Sequence, residues 1–433
     1  MLRTGRRRES EDRECEGGLL IPDDVKLALL RPYIWKVRWL LRCADFLSRS
    51  CLFLTKKKSP GRTQNIENIL VVAPGNLGDG VMLVPFLQNV RRTFPDARVV
   101  VVSGKAIGDF VRHQGLIDEW VPTEVPWTRR SSRFSKNNLL SVAWLRFAKT
   151  LIFLRKQEFD LAFCVGGWDD LRVYFAVALA GARRVVGRAG MGGEHFLTDV
   201  VPRNLQRLHM VDSSLSLLEP FGVKPCVEVP FVRVSPAEQE RAREILKGLG
   251  VQEKEKLVVG VHPGAGSPVR AWGEDRFAKV SRYLVEQYGA RVLWFSDPAE
   301  SRPAPPESLA TTVRLPLLDF VAVVSCCQLL VCNDSGPMHV AAGLGVPVVA
   351  VFGPNRPEFV GPYGEGHQVV IRQEFWCRPC GDVCRWKEPY CLRLIQVEDV
   401  TRAVDAAMQR ILKQTAPHEG TAQNAELEGE PAS

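Results

Sequence analysis

Short apolar runs alternate with longer amphipathic ones along most of this chain, and that alternation limits the fold more than any other feature. Ile69–Ala73, Ala97–Ser103, Leu161–Val165 and Arg184–Val186 read as strands, rich in Val and bounded by turn residues. A helical pattern runs from Val81 to Phe94 between the first two. The pattern restarts after a helix near Pro236–Leu249. Strands then read at Leu257–Val261, Arg291–Phe295, Leu329–Cys332 and Val346–Phe352, with helices around Asp275–Tyr288 and from Pro337. Strands separated by helices need crossover connections, which give a parallel sheet covered by helices. The expected class is α/β, in two successive domains joined around residues 232–256. A length of 433 residues exceeds one ordinary core and agrees with two.

Charge is distributed unevenly. The net +8 resides almost wholly in residues 1–62, which carry 15 Lys/Arg against 8 Asp/Glu; within 26–62 the balance is 10 against 1. A protein that coats nucleic acid carries its basic surface on the folded domain; here the basicity is on an appendage, so no nucleic-acid partner is expected. In residues 24–54, Leu30, Ile34, Val37, Leu41 and Leu52 interleave with Arg31, Lys36, Arg38, Arg42 and Arg49. Such a helix suits an anionic membrane surface; it reads equally as a solvated basic face packed on the domain. No run of 18 apolar residues occurs, and no apolar core precedes a small-residue cleavage site, so neither a transmembrane helix nor a secretory signal is expected. The tail from residue 415 has four Glu and no Lys or Arg, and disorder is the expectation there.

Ligands of open α/β sheets bind beyond the carboxyl ends of the strands, and three turns at such ends carry chemistry. Pro74-Gly75-Asn76-Leu77-Gly78-Asp79-Gly80 places a carboxylate at the start of a helix. Asp79 there reads either as a cap or as a functional acid. His262-Pro263-Gly264-Ala265-Gly266-Ser267 followed by Arg270 joins exposed amides to a guanidinium and suits a diphosphate. Asn333-Asp334-Ser335-Gly336-Pro337-Met338-His339 opens another helix. Pro337 fits the first turn, Asn333, Asp334 or Ser335 is available to cap it, and Asp334 is also available for sugar hydroxyls. Neither G-x-G-x-x-G nor G-x-x-x-x-G-K-[ST] is present at these turns, so a dinucleotide site and a P-loop are poorly supported. Together the turns suggest a cleft, with an activated donor on the second domain and a base facing it from the first.

These segments, ILVVAPGNLGDGVMLVPFLQNVRRTFPDARVVVV, VVGVHPGAGSPVRAWGEDRF and LLVCNDSGPMHVAAGLGVPVVAVFGP, resemble glycosyltransferase family 9, the heptosyltransferase-like enzymes, over roughly residues 67–410. The resemblance implies a GT-B fold, two Rossmann-like domains facing across a central cleft. Residues 66–235 would form the acceptor domain and 236–414 the donor-nucleotide domain, flanked by a basic extension (1–65) and an acidic tail (415–433). It further implies inverting, metal-independent transfer of heptose from ADP-heptose to the inner core of lipopolysaccharide, with no cofactor. The family's catalytic aspartate falls on Asp79, beside Gly78, which would contact the acceptor. A position usually Lys falls on Arg270, which keeps the charge and changes the geometry. The Asp-Ser-Gly-x-x-His element falls on Asp334, Ser335, Gly336 and His339. A ribose contact falls on Glu300, in a segment where Ser296 and Asp297 replace two glycines. Gly264, Ala265, Gly266 and Ser267 would supply amides to the diphosphate.

The chain contains no Asp-x-Asp, the usual cation-holding pair of metal-using sugar transferases. A lipid A–Kdo acceptor is anionic, and the segment with Arg129, Arg130, Arg133 and Lys136 would meet it, unless it is simply a solvated charge run. Cys377, Cys380, Cys384 and Cys391 form a compact set, readable as a structural zinc site or as structural thiols or disulfides. The enzyme is expected in the cytoplasm, peripheral on the inner face of the cytoplasmic membrane. Two alternatives stand beside this: transfer of another nucleotide-activated sugar into a surface glycan, and a catalytically silent nucleotide- or glycan-binding protein.

Overall fold

The computed structural model describes residues 65–123, 142–165, 171–189, 192–202, 209–252, 257–298, 305–380, 384, 386 and 388–415. The basic extension up to residue 64, the tail beyond 415, Arg129, Arg130, Arg133, Lys136 and Glu300 lie outside the described residues.

The two series of strands form two six-stranded sheets. The first contains β1 (Asn68–Val72), β2 (Arg98–Ser103), β3 (Glu119–Pro122), β4 (Leu161–Cys164), β5 (Arg184–Arg188) and β6 (Asp199–Val201), in the order β3-β2-β1-β4-β5-β6. The second contains β7 (Val258–His262), β8 (Arg291–Phe295), β9 (Thr311–Val313), β10 (Leu329–Asn333), β11 (Val348–Phe352) and β12 (Gln368–Ile371), in the order β12-β11-β10-β7-β8-β9. Every pairing is parallel. Counted within its own half, the second order repeats the first, and both are the doubly wound order of a Rossmann sheet. Ile69 lies in register between Val99 and Leu161, and Val331 between Val261 and Val349. The two halves are thus architectural copies, as the alternating pattern predicts.

Helices cross between the strands. The first half holds α1 (Leu77–Thr93), α2 (Lys105–His113), α3 (Val142–Arg155), α4 (Leu171–Ala180) and α5 (Met210–Leu215). The second holds α6 (Pro236–Gly248), α7 (Glu274–Tyr288), α8 (Leu317–Val324), α9 (Gly336–Gly343), two single turns α10 (Pro357–Val360) and α11 (Tyr390–Arg393), and α12 (Val397–Thr415). Their ends follow local chemistry. Ser235 caps α6: the Glu238 amide donates to its Oγ (3.3 Å), the Ser235 amide donates back to Glu238 Oε2 (2.8 Å), and Pro236 occupies the first helical position.

The inner strands are buried on both faces, β10 and β11 along their whole length, which is why they read as unbroken apolar runs. The core of the first half, around Ile69, Val71 and the edge-to-face pair Phe86–Phe163 (5.2 Å), continues through α1 to Val321 and Val340 of the second. A second core joins Trp272, Phe277 and Trp294 to Val400, Val404 and Met408 of α12.

Candidate active site

The three chemically loaded turns all follow strands at the switch points of the two sheets: β1 beside β4, and β7 beside β10. In the first, the chain leaves β1, turns through Gly75 and enters α1 at Leu77, four residues ahead of the apolar pattern that begins at Val81. Asp79 causes the early start. Its Oδ2 accepts the Asn76 amide at 2.7 Å, satisfying one donor that the first turn leaves orphaned. The cap reading is therefore realised, and the same geometry holds the carboxylate still. Gly75 makes this possible, because a Cβ there would lie 2.5 Å from Asp79 Oδ2. Burial pushes the Asp79 carboxyl above the ordinary aspartate value; the Asn76 amide and the Arg270 guanidinium pull against that rise. Met82, Leu83, Val165, Met210 and Ser214 line a small niche with it.

On the second half, the loop after β7 and the end of β10 are tied together by Asn333. Its Nδ2 donates to the Pro263 carbonyl (2.7 Å) and to that of Gly264 (3.4 Å), and its Oδ1 accepts the Trp272 amide (3.1 Å). Arg270 sits in a single turn, Pro268–Arg270, and its Nη1 donates to the Asp334 carbonyl at 3.4 Å. Gly264 and Gly266 keep the loop close: a Cβ on either would lie 2.8 Å from His262 Cε1 or 3.3 Å from Arg270 Nη2. Ala265 is half-buried and Ser267 buried on the same loop.

The capping expected at α9 takes a different form. Ser335 stands at the cap position, but its Oγ donates to the Asn333 carbonyl (3.2 Å), and Asp334 Oδ2 accepts from Asn355 Nδ2 (2.6 Å). The Ser335 side chain makes no cap bond to the first turn of α9. Asn333, offered by the sequence only as a cap, is instead the brace of the loop. Its partners lie about seventy residues away in the chain, and no local pattern announces them.

The two halves meet where α1 and α9 begin. A Cβ on Gly78 would lie 2.6 Å from His339 Cδ2, and one on Gly336 3.4 Å from Leu77 Cβ and 3.5 Å from the Gly78 amide nitrogen. Two helix N-termini thus converge beside Arg270, each bearing about half a positive charge, and such a place favours an anion. His339 is buried against Gly78 and neutral, its pKa lowered to about 3 by burial, with His209 and Arg270 adding to the effect. It packs across the seam between the two halves.

Further links from α5 were not legible in the sequence. His209 Nε2 donates to the Gly361 carbonyl (3.0 Å), its Nδ1 accepts the Val211 amide (3.2 Å), and Tyr363 Oη donates to Asp212 Oδ1 (2.8 Å).

The four cysteines that the sequence offers as a zinc site or as structural thiols, Cys377, Cys380, Cys384 and Cys391, are all thiols outside any disulfide. Cys377 and Cys391 are buried free thiols, and Cys384 Sγ donates to the Glu388 carbonyl at 3.6 Å. Among the described residues no three His, Cys, Asp or Glu side chains are placed to hold a metal ion.

A carboxylate with a raised pKa at the start of α1 on one half, facing a guanidinium and the N-terminus of α9 on the other, forms a site that can accept a proton and stabilise a departing diphosphate. Among solved structures, the chain is similar to a glycosyl transferase family 9 protein from Veillonella parvula (TM-score 0.65, 21% identity, 81% of this chain and 100% of that one). It is also similar to Escherichia coli ADP-heptose lps heptosyltransferase II (TM-score 0.59, 20% identity, again 81% and 100%); both likenesses show the two-domain GT-B fold. In sequence it is 24% identical over 322 residues to lipooligosaccharide heptosyltransferase 2 of Haemophilus influenzae, covering 70% of this chain and 88% of that one. The model of glycosyltransferase family 9 (heptosyltransferase) matches residues 145–390, more than half of the chain. With its paired Rossmann sheets and the turns at their switch points, this chain belongs to glycosyltransferase family 9.

Proposed function

We propose that this glycosyltransferase moves heptose from ADP-heptose to the inner core of lipopolysaccharide, with inversion at the anomeric carbon. The observation that carries the reading is Asp79, held by the Asn76 amide on the first half and felt electrostatically by Arg270 on the second. Asp79 accepts the proton of the acceptor hydroxyl as that oxygen attacks the anomeric carbon. The bond to the donor's diphosphate breaks on the opposite face, and one in-line displacement inverts the centre. Arg270, the loop amides of Gly264–Ser267 and the amides opening α9 take up the charge that develops on the diphosphate. Glu300 holds the ribose, and Arg129, Arg130, Arg133 and Lys136 meet the acceptor's anionic groups. The donor and acceptor are supported by the relatives' names, which speak of ADP-heptose, lipopolysaccharide and lipooligosaccharide. Independence from metal is supported by the absence of any Asp-x-Asp pair. The reaction is placed at the inner face of the cytoplasmic membrane, with the basic extension 1–65 in contact with lipid.

The test is nucleotide release from ADP-heptose, and separately from UDP- and GDP-sugars, with a truncated lipopolysaccharide acceptor and EDTA. ADP release that requires acceptor and survives EDTA is the expected result. Release only from another nucleotide sugar would move the donor. Asp79→Asn should lower turnover by about 10²- to 10⁴-fold and leave nucleotide binding nearly intact; wild-type turnover would remove Asp79 as the base.

A further inference from the structure

Helix α3 (Val142–Arg155) carries more apolar surface than its own half uses. Phe147, Thr150, Leu151 and Leu154 recur at helical spacing and face Val72, Val173 and other residues of the sheet and α4. That stripe meets the packing need of an amphipathic helix. Yet Leu145, Ile152 and Phe153 point away from it, exposed by 55%, 60% and 41%. Beside them stand Arg146, Lys149, Arg155 and Lys156, all exposed. Arg155 Nη1 donates to the Leu179 carbonyl at 3.1 Å; among the described residues Arg146, Lys149 and Lys156 enter no ion pair. The charge pattern is one-sided over a long stretch: residues 125–157 contain eight Lys/Arg and no Asp or Glu.

We propose that the outer face of α3 is a docking surface for an anionic lipid bilayer, with Leu145, Ile152 and Phe153 entering the headgroup boundary and Arg146, Lys149 and Lys156 meeting lipid phosphates. Apolar side chains interleaved with Lys and Arg, without acids, match that surface in both polarity and sign. Charge decides between occupants. A second copy of the same face would set like charges against each other. So would the chain's own segment 26–62, with its 10 Lys/Arg against 1 acid. The bilayer is the partner that removes the repulsion. The surface is separate from the turns around Asp79 and Arg270, and it supplies the first half with a lipid contact of its own, distinct from that of the extension.

The experiment is sedimentation of the full chain with phosphatidylcholine vesicles, with and without phosphatidylglycerol, in the absence of sugar donor, so its outcome is independent of the transfer reaction. The chain should pellet with the anionic vesicles. Lys149→Glu should weaken that binding by about fivefold or more, the effect of one basic charge near such a surface, and added salt should weaken it further. Ile152→Ser combined with Phe153→Ser should weaken it comparably, with an unchanged melting temperature. Leu412→Ser, an equally exposed apolar residue on α12, should bind as the unaltered chain does. Wild-type binding by both α3 variants would overturn the proposal, as would failure of the unaltered chain to bind. A dimer of the unaltered chain that the α3 substitutions dissociate would also overturn it, by making the face a contact between copies.

Discussion

At the scale of single residues, Asp79 and Arg270 form one electrostatic unit across the cleft. A base works in its ionised form, so activity should fall as pH drops through the Asp79 pKa. That pKa is raised by burial and held down in part by the Arg270 guanidinium. Removing the guanidinium should therefore raise it further. The acidic limb of kcat/KM for Arg270→Gln should lie at higher pH than the limb of the unaltered enzyme, with the plateau lowered by the lost phosphate contact. A limb that stays in place would show that the two charges do not interact during catalysis. Gly75 makes a sharper test of position. A Cβ there lies 2.5 Å from Asp79 Oδ2, so Gly75→Ala must displace the carboxylate. Turnover should fall by at least about tenfold, since small misplacements of a reacting group are costly, and the melting temperature should fall modestly, because the displaced carboxylate also loses its cap bond to the Asn76 amide.

At the scale of elements, the site depends on how strand ends and helix starts are tied. Asn333 makes three hydrogen bonds that hold the β7 loop against β10. Asn333→Asp keeps the shape but turns a donor toward two carbonyls into an acceptor. The cost of such a mismatch, with a buried charge added, is about 2–4 kcal/mol, and donor KM should rise as the loop relaxes; donor titration and thermal melting would read both, and a variant unaltered in both would refute the brace. This also marks where sequence reasoning succeeded and where it stopped. The inner strands were legible because burial on both faces makes them continuous apolar runs, and the Gly75–Gly80 turn because glycines and a helix-start aspartate stand together. The edge strands β3, β6, β9 and β12 were not read. They are three or four residues long, too short for a period to show. Asn333, His209 and Tyr363 act through partners about 70, 152 and 151 residues away. Only the fold creates those contacts.

At the scale of the whole molecule, the packing of α1 on α9 and the links from His209 and Tyr363 join the two halves, and acid should loosen them. His339 is packed on Gly78 of the opposite half, with its pKa lowered to about 3 from an ordinary 6.5. His209, which reaches across to Gly361, is lowered as well by burial. In the unfolded chain both bind a proton near pH 6.5, so between that pH and the folded values the unfolded state holds more protons. Their contribution to stability is then complete above about 6.5 and is lost as pH falls below it, toward about 3 for His339. Carboxylates stabilised in the fold, such as Asp199 beside Arg184, lose their contribution only at pH near and below their ordinary value of 3.8; Asp79, raised by burial, takes up its proton in the fold above that value and offsets part of the histidines' effect. Thermal melting measured from pH 7.5 to 4.5 should fall steadily. His339→Gln should flatten that slope, because an amide gains no proton on unfolding, at the expense of a lower melting temperature at pH 7.5. Gly78→Ala should act on the same seam by size alone, since its Cβ would meet His339 Cδ2 at 2.6 Å: about 1–3 kcal/mol of lost stability from overpacking, with the pH slope retained. A slope that is equal in His339→Gln and the unaltered chain would take His339 out of the linkage and leave the seam's acid sensitivity to His209.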